Sequence, residues 1–154
     1  MEFAMASVQR HEIGQLLMLT LQDFQRRLDE DLAGAGFPGI RYRHRALFMH
    51  LDRHGASRSV DLAKAAGIRP QSMMKIVHEL EGLGLISRRT DPADSRAKLI
   101  EFTGLGRRLI EQLTRSTERV WAQYAALFGE SQLNQLMASL DALLTLSQNQ
   151  RGKA

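Results

Sequence analysis

The chain has 154 residues, 44% of them apolar and 25% charged, which suits one soluble globular domain with a real core. It has no cysteine, so disulfides, thiolate zinc sites, iron–sulfur clusters and thiol redox switches are excluded. The net charge is +4, and the basic excess is local: residues 41–100 hold 12 basic and 6 acidic side chains, against 9 and 11 elsewhere. A polyanionic partner met by the middle third is expected, with the flanks serving another purpose.

From Glu12 to Leu32, Ile13, Leu16, Leu17, Leu21, Phe24, Leu28 and Leu32 recur mostly in steps of three and four, which predicts a helix. The run Gly34-Ala35-Gly36-Phe37-Pro38-Gly39 ends it in a loop. A second helix is expected over Tyr42–His54, closed by Gly55. A third, short helix from Ser59 to Ala66 places Val60, Leu62, Ala63 and Ala66 on one face, with Ser57 or Ser59 as its cap. Gly67-Ile68-Arg69 forms a turn, and Pro70 opens a fourth helix where its missing N–H costs nothing. That helix should bury Met73, Ile76, Val77, Leu80 and Leu83.

After Gly84 the period shortens to that of strands. Leu85–Arg89 and Lys98–Phe102 read as a hairpin around the turn set Thr90-Asp91-Pro92-Ala93-Asp94-Ser95. A loop longer than two residues is expected, projecting from the body. From Gly104 the chain is helical again, with a stripe of Leu105, Leu109, Ile110, Leu113, Val120, Trp121, Tyr124 and Phe128. Gly129 and Ser131 mark a break, and Leu133, Leu136, Met137, Leu140, Leu143 and Leu144 continue at near-heptad spacing. The tail Gln148–Ala154 reads as frayed. The fold class is mainly α with a small β-hairpin wing.

A short helix, a glycine turn and a second helix with one polar face form a helix-turn-helix pattern. The second helix can lie in a major groove with its N-terminal side chains at base edges. Gln71, Ser72, Lys75 and His78 are polar there, flanked by Arg69 and Met74. Glutamine can read adenine bidentately, and lysine can meet phosphate or guanine. The hairpin adds Arg88, Arg89 and Lys98 along its strands and Arg96 near its tip. A cationic tip suits a narrow minor groove.

Residues Val60 through Gly106 resemble the winged helix-turn-helix of the MarR transcriptional regulators. Three stretches carry the resemblance: Asp61-Leu62-Ala63-Lys64-Ala65-Ala66-Gly67-Ile68, Leu80-Glu81-Gly82-Leu83-Gly84-Leu85-Ile86, and the wing Asp91-Pro92-Ala93-Asp94-Ser95-Arg96. Asp94 and Arg96 match the family's Asp-x-Arg in the wing. Thr103 and Gly106 match its Leu-Thr-x-x-Gly, with Phe102 in place of leucine.

The resemblance implies that Arg96 enters the minor groove and that Asp94 holds it by a charge-assisted hydrogen bond. It implies DNA contacts from Arg69, Gln71, Ser72, Met74, Lys75, His78, Arg88, Asp94, Arg96 and Lys98. It further implies a homodimer built from the first and last helices, residues 1–38 and 104–154, around a DNA-binding lobe at 39–103. Leu16, Leu17, Leu136, Leu140 and Leu143 would lie in that interface. Two recognition helices would then face a pseudo-palindromic operator on double-stranded DNA. Many relatives bind small aromatic or phenolic effectors between the dimer helices and the lobe. Tyr42, His44, Arg45 and Phe48 are the residues placed for that, with Arg45 suited to an anion, although ordinary packing explains each equally well.

His50 and His54 share a helical face but have no evident third ligand, so no metal site is expected, and no cofactor. No phosphate loop, nucleophile elbow or paired carboxylate motif points to an enzyme. The function expected is a DNA-binding transcriptional regulator, most simply a repressor relieved by a small ligand. The alternative is a winged helix serving as a protein–protein adaptor, which the basic wing disfavours. No apolar run nears the ~18 residues of a membrane span, and no secretory signal pattern opens the chain. With the missing cysteines, a cytoplasmic protein without membrane contact is expected. Met1-Glu2-Phe3-Ala4-Met5 is an unusual start, with Met5 an alternative first residue.

Overall fold

A computed structural model of the chain describes residues 12–151. The unusual start at residues 1–5 lies outside the described residues. The elements in order are α1 (Ile13–Gly34), a 3-10 turn (Tyr42–His44), α2 (Arg45–His54), β1 (Ser57–Arg58), α3 (Ser59–Ala66), α4 (Pro70–Gly82), β2 (Ile86–Asp91), β3 (Asp94–Phe102), α5 (Gly104–Phe128) and α6 (Glu130–Arg151). The chain forms two compact units, and the division falls within α5 between Ser116 and Thr117.

In the first unit the helices follow the expected punctuation. Gly55 closes α2, its N–H reaching the Leu51 carbonyl at 2.8 Å. Gly67 ends α3 in the left-handed region at φ 64°, which a side chain would disfavour. Pro70 is the first residue of α4. The core gathers Leu28 and Leu32 of α1, Leu47, Phe48 and Leu51 of α2, Leu62 of α3, and Met73, Val77 and Leu80 of α4. Ile86, Ile100 and Leu109 close it from the sheet and α5. Full burial of each such side chain contributes about 1.5–3 kcal/mol, so this cluster fixes the angle at which α4 is held.

The sheet has three antiparallel strands in the order β1-β3-β2. The two-residue β1 was not expected, because a Ser-Arg pair has no hydrophobic alternation to read. It pairs Ser57 with Ile100 and Arg58 with Leu99. The hairpin is longer and tighter than expected. Its turn is only Pro92–Ala93, between the paired Asp91 and Asp94. Thr90 pairs with Lys98, so Ser95, Arg96 and Ala97 form a bulge in β3 with no counterpart on β2.

Three further expectations are corrected. Leu83 lies just past α4 and is 40% exposed, because the helix stops at Gly82 before its side chain turns inward. Neither serine caps α3: its cap position is Arg58, with no side-chain cap bond, and Ser57 Oγ donates to the Gly55 carbonyl instead. The tail is helical through Arg151, so the fraying expected from Gln148 does not hold up to that residue. Residues 152–154 lie outside the described ones.

The second unit contains the end of α5 and all of α6, joined at Gly129 with φ 92°. Among its described residues, Val120 and Leu133 are buried. Leu127, Phe128, Leu136, Met137, Leu143, Leu144 and Leu146 are exposed, and Leu140 is half-buried. Among the described residues no helix is long and apolar enough to cross a membrane.

Candidate nucleic-acid interface

α4 is amphipathic at the level of single residues. Met73, Ile76, Val77 and Leu80 are buried, while Gln71, Ser72, Lys75 and His78 are exposed and Met74 is half-buried. Gln71, Ser72, Lys75 and His78 recur at helical spacing, so their side chains share one outward face. Arg69, one residue before the helix, is exposed as well. No ion pair to Arg69, Lys75 or Arg96 occurs among the described residues. Free cations of this kind attract phosphates and release counterions on contact.

Glu79 fixes α4 from behind. Arg43 Nη2 donates to its Oε2 at 2.9 Å, and His44 Nε2 lies 3.1 Å from the same oxygen. These contacts hold the Glu79 carboxyl below its usual range, the His44 bond first and the Arg43 bond second. α4 is thereby tied to the segment just before α2. Sequence spacing gave no sign of this pairing, because the partners are 35 residues apart.

The wing corrects two expectations. Asp94 does not bind the Arg96 guanidinium. Its Oδ1 accepts the Arg96 backbone N–H at 3.1 Å, as an aspartate in a turn commonly does. Arg96 itself is exposed at the middle of the β3 bulge, and bulges re-aim side chains out of a ladder. Arg88 is not a free cation. Its Nε and Nη2 both donate to Glu81, at 3.0 and 2.5 Å, and this pairing depresses the Glu81 pKa. Arg89 likewise pairs with Glu101 at 3.0 Å, and Lys98 Nζ donates to Thr90 Oγ1 at 2.9 Å.

Beside the wing turn stands a pair that the sequence did not reveal. Arg58 Nη2 lies 2.6 Å from Asp91 Oδ2, and Asp91 is only 7% exposed. Asp91 Oδ1 accepts the Ala93 N–H at 2.9 Å. That backbone bond, then the Arg58 contact, hold the Asp91 carboxyl below its ordinary pKa. Thr103 locks the other end of the wing. Its Oγ1 donates to the Gly84 carbonyl at 2.6 Å and accepts the Gly106 N–H at 3.1 Å, which makes it the N-cap of α5.

The four residues considered for an effector separate into two kinds. His44 and Phe48 are enclosed, 1% and 2% exposed, and Phe48 packs against Phe102 with ring centroids 6.1 Å apart. Their environment is core packing rather than an open lining. Tyr42 is exposed and Arg45 is half-buried. The Arg45 guanidinium lies 5.1 Å from the Tyr42 ring centroid and 5.8 Å from that of Phe24. Its Nε and Nη2 are buried without a hydrogen-bond partner, as is Asp29 Oδ1. Burial lowers the Arg45 pKa and raises that of Asp29. The His50 and His54 rings lie with centroids 4.5 Å apart, tilted by 41°, and among the described residues no group of three potential ligands gathers around a metal position.

Leu16 and Leu17 are 45% and 44% exposed, beside the equally exposed Ile13, Met18, Leu19 and Leu21. This apolar surface, spanning Ile13 to Leu21 and open to water, is unusual for a helix with no partner.

A sequence profile of the MarR family matches residues 38–97. The fold is also similar to solved structures over most of its length. Wild-type MarR from E. coli in its apo form matches with a TM-score of 0.69 and 19% identity, covering 86% of this chain and 96% of that one. A MarR-family transcriptional regulator from Rhodococcus sp. RHA1 matches at 0.67 and 24%, covering 90% and 96%. CouR from Rhodococcus jostii RHA1, solved with p-coumaroyl-CoA bound, matches at 0.63 and 26%, covering 86% and 91%.

Proposed function

We propose, from the match of residues 38–97 to the MarR family profile, that the chain is a winged-helix transcriptional regulator of that family binding duplex DNA by sequence as a homodimer. α4 enters the major groove. Gln71 and Ser72 meet base edges there, while Arg69, Lys75 and His78 serve phosphates or bases. Arg96 enters the adjoining minor groove from its bulge, supported by Lys98. Met74 adds an apolar contact. Arg88 and Asp94 shape the wing and contribute less directly than a free cation.

The observation that carries this reading is the juxtaposition of unpaired cations with a polar helix face. Arg69, Lys75 and Arg96 are exposed and free of ion pairs among the described residues, whereas Arg43, Arg58, Arg88 and Arg89 are paired with carboxylates. These three lie at the start of α4, on its polar face and in the wing bulge, where a duplex would present phosphates.

The exposed apolar surfaces of α1 and α6 support dimerisation. Leu16, Leu17, Leu136, Leu140 and Leu143 pack against a second copy, within the region formed by residues 1–38 and 104–154 around the lobe at 39–103. A two-fold dimer sets two α4 helices about one turn of DNA apart. The Arg45 fork, flanked by Tyr42 and Phe24, supports an aromatic effector carrying an anionic group, and CouR was solved with p-coumaroyl-CoA, an aromatic acyl thioester. Effector binding relieves repression by shifting the lobes to a spacing that no longer fits the operator. The protein acts in the cytoplasm.

Selection from a pool of randomised duplexes tests the reading. It should enrich a pseudo-palindrome whose half-sites lie about 10 base pairs apart. Recovery of duplexes with no common sequence would contradict it and favour an adaptor role.

A further inference from the structure

We propose that Arg58 is a positioning residue that fixes the wing bulge and thereby aims Arg96. This rests on the reading of Arg96 as a DNA contact. Arg58 is an unusual residue for its place. It occupies the N-cap of α3, where a side-chain oxygen would satisfy a free N–H and where a cation faces the positive end of the helix. It makes no cap bond, and the serines on either side do not replace it. A residue that forgoes the local cap has its reason elsewhere.

That reason lies across the sheet. Arg58 is extended, at φ −74° and ψ 150°, and pairs with Leu99 of β3. From there its guanidinium reaches both carboxylates that flank the wing turn. Nε and Nη2 contact Asp91 Oδ2 at 2.8 and 2.6 Å, and Nη1 lies 3.9 Å from Asp94 Oδ2. Each carboxylate uses its other oxygen on the backbone. Asp91 Oδ1 takes the Ala93 N–H, and Asp94 Oδ1 takes the N–H of Arg96 itself.

The arrangement matters because, among the described residues, no other ion pair reaches the bulge. Ser95, Arg96 and Ala97 have no ladder partner on β2. The Arg96 guanidinium has no ion pair among the described residues, so the direction of its side chain follows from the backbone beneath it. Arg58 acts on Arg96 through Asp91 and Asp94, without touching DNA.

Two measurements test this. In the free protein, hydrogen exchange at the Ala93 and Arg96 amides should accelerate in Arg58→Met, with α4 amides unchanged. Unchanged protection at both amides would overturn the inference without reference to DNA. On the duplex enriched by selection, Arg58→Met and Arg96→Ala should each weaken binding, by about tenfold for the former. The double variant should bind no worse than Arg96→Ala alone. Losses that multiply would show a general structural effect and overturn the inference. Charge exchange, Arg58→Asp with Asp91→Arg, should restore part of the affinity lost in Arg58→Asp, and no restoration would count against the pair. An Arg96→Ala variant that binds like wild type overturns the DNA-contact reading and this inference together. A weakened Arg96→Ala beside a silent Arg58→Met overturns this inference alone.

Discussion

His44 Nε2 faces Glu79 Oε2 at 3.1 Å while its Nδ1 accepts the Arg41 backbone N–H at 3.0 Å. The two bonds select one neutral tautomer, with the proton on Nε2 donated to the carboxylate. A second proton would have to sit on Nδ1 and break the Arg41 bond inside the core. Burial, the largest influence, accordingly lowers the His44 pKa despite the adjacent carboxylate.

The sign for stability follows from that direction. Below about pH 6.5 the unfolded chain takes up a proton that folded His44 refuses. Stability is therefore full above that pH and falls as pH drops toward the folded value. The urea midpoint should decline between pH 7.5 and 5.5, and His44→Gln should flatten this decline. Asp91, Glu79 and Glu81, also depressed, should add a separate loss in the carboxylate range. A midpoint constant from pH 7.5 to 5.5 would contradict a neutral His44.

Gln71 and Lys75 should differ in kind on DNA. If Gln71 reads a base, Gln71→Ala costs ~1–3 kcal/mol on the selected duplex and little on random DNA. Lys75→Ala should weaken both duplexes and reduce the salt slope by about one. Anisotropy titrations at several salt concentrations separate the two. Equal losses for Gln71→Ala on both duplexes would make it a positioning contact.

Gly106 is a packing requirement. A Cβ there would collide with the Leu85 carbonyl oxygen and crowd the Phe102 ring. Alanine is otherwise better than glycine in a helix by ~1 kcal/mol. The clash is with backbone, which yields little, so it outweighs that preference. Gly106→Ala should destabilise the fold by ~1–3 kcal/mol in denaturant titrations. A gain in stability would mean that the β2–α5 approach is looser than described.

Much of the lobe was legible because it is governed by local rules. Gly55, Gly67, Pro70 and Gly129 each mark a boundary through their own backbone preferences. Met73, Ile76, Val77 and Leu80 declare the buried side of α4 through helical spacing alone. What escaped notice depends on residues distant in sequence. Arg58 meets Asp91, and His44 meets Glu79, only once the sheet and helices have assembled. Arg88 reads as a free wing cation until Glu81, seven residues away across a turn, is seen to face it. The bulge at Arg96 was hidden because the Pro92–Ala93 turn sets the strand register, and Ser95–Ala97 carries no signal of its own.

The apolar face of α6 makes a separate prediction. Leu136 and Leu143 are 41% and 54% exposed, so glutamate should be tolerated there in an isolated chain. The double variant Leu136→Glu/Leu143→Glu should sediment as a monomer with its helical circular dichroism retained, since buried unpaired charges oppose association. An unchanged dimer would remove α6 from the interface.

Sequence-specific DNA binding is tested most directly by fluorescence anisotropy on a duplex from upstream of the protein's own gene, against a scrambled duplex, at two salt concentrations. Preference for the first duplex, steep weakening with salt, and loss of the preference in Arg96→Ala are expected. Equal binding to both duplexes, or no binding even at low salt, would contradict a sequence-specific regulator acting at that site.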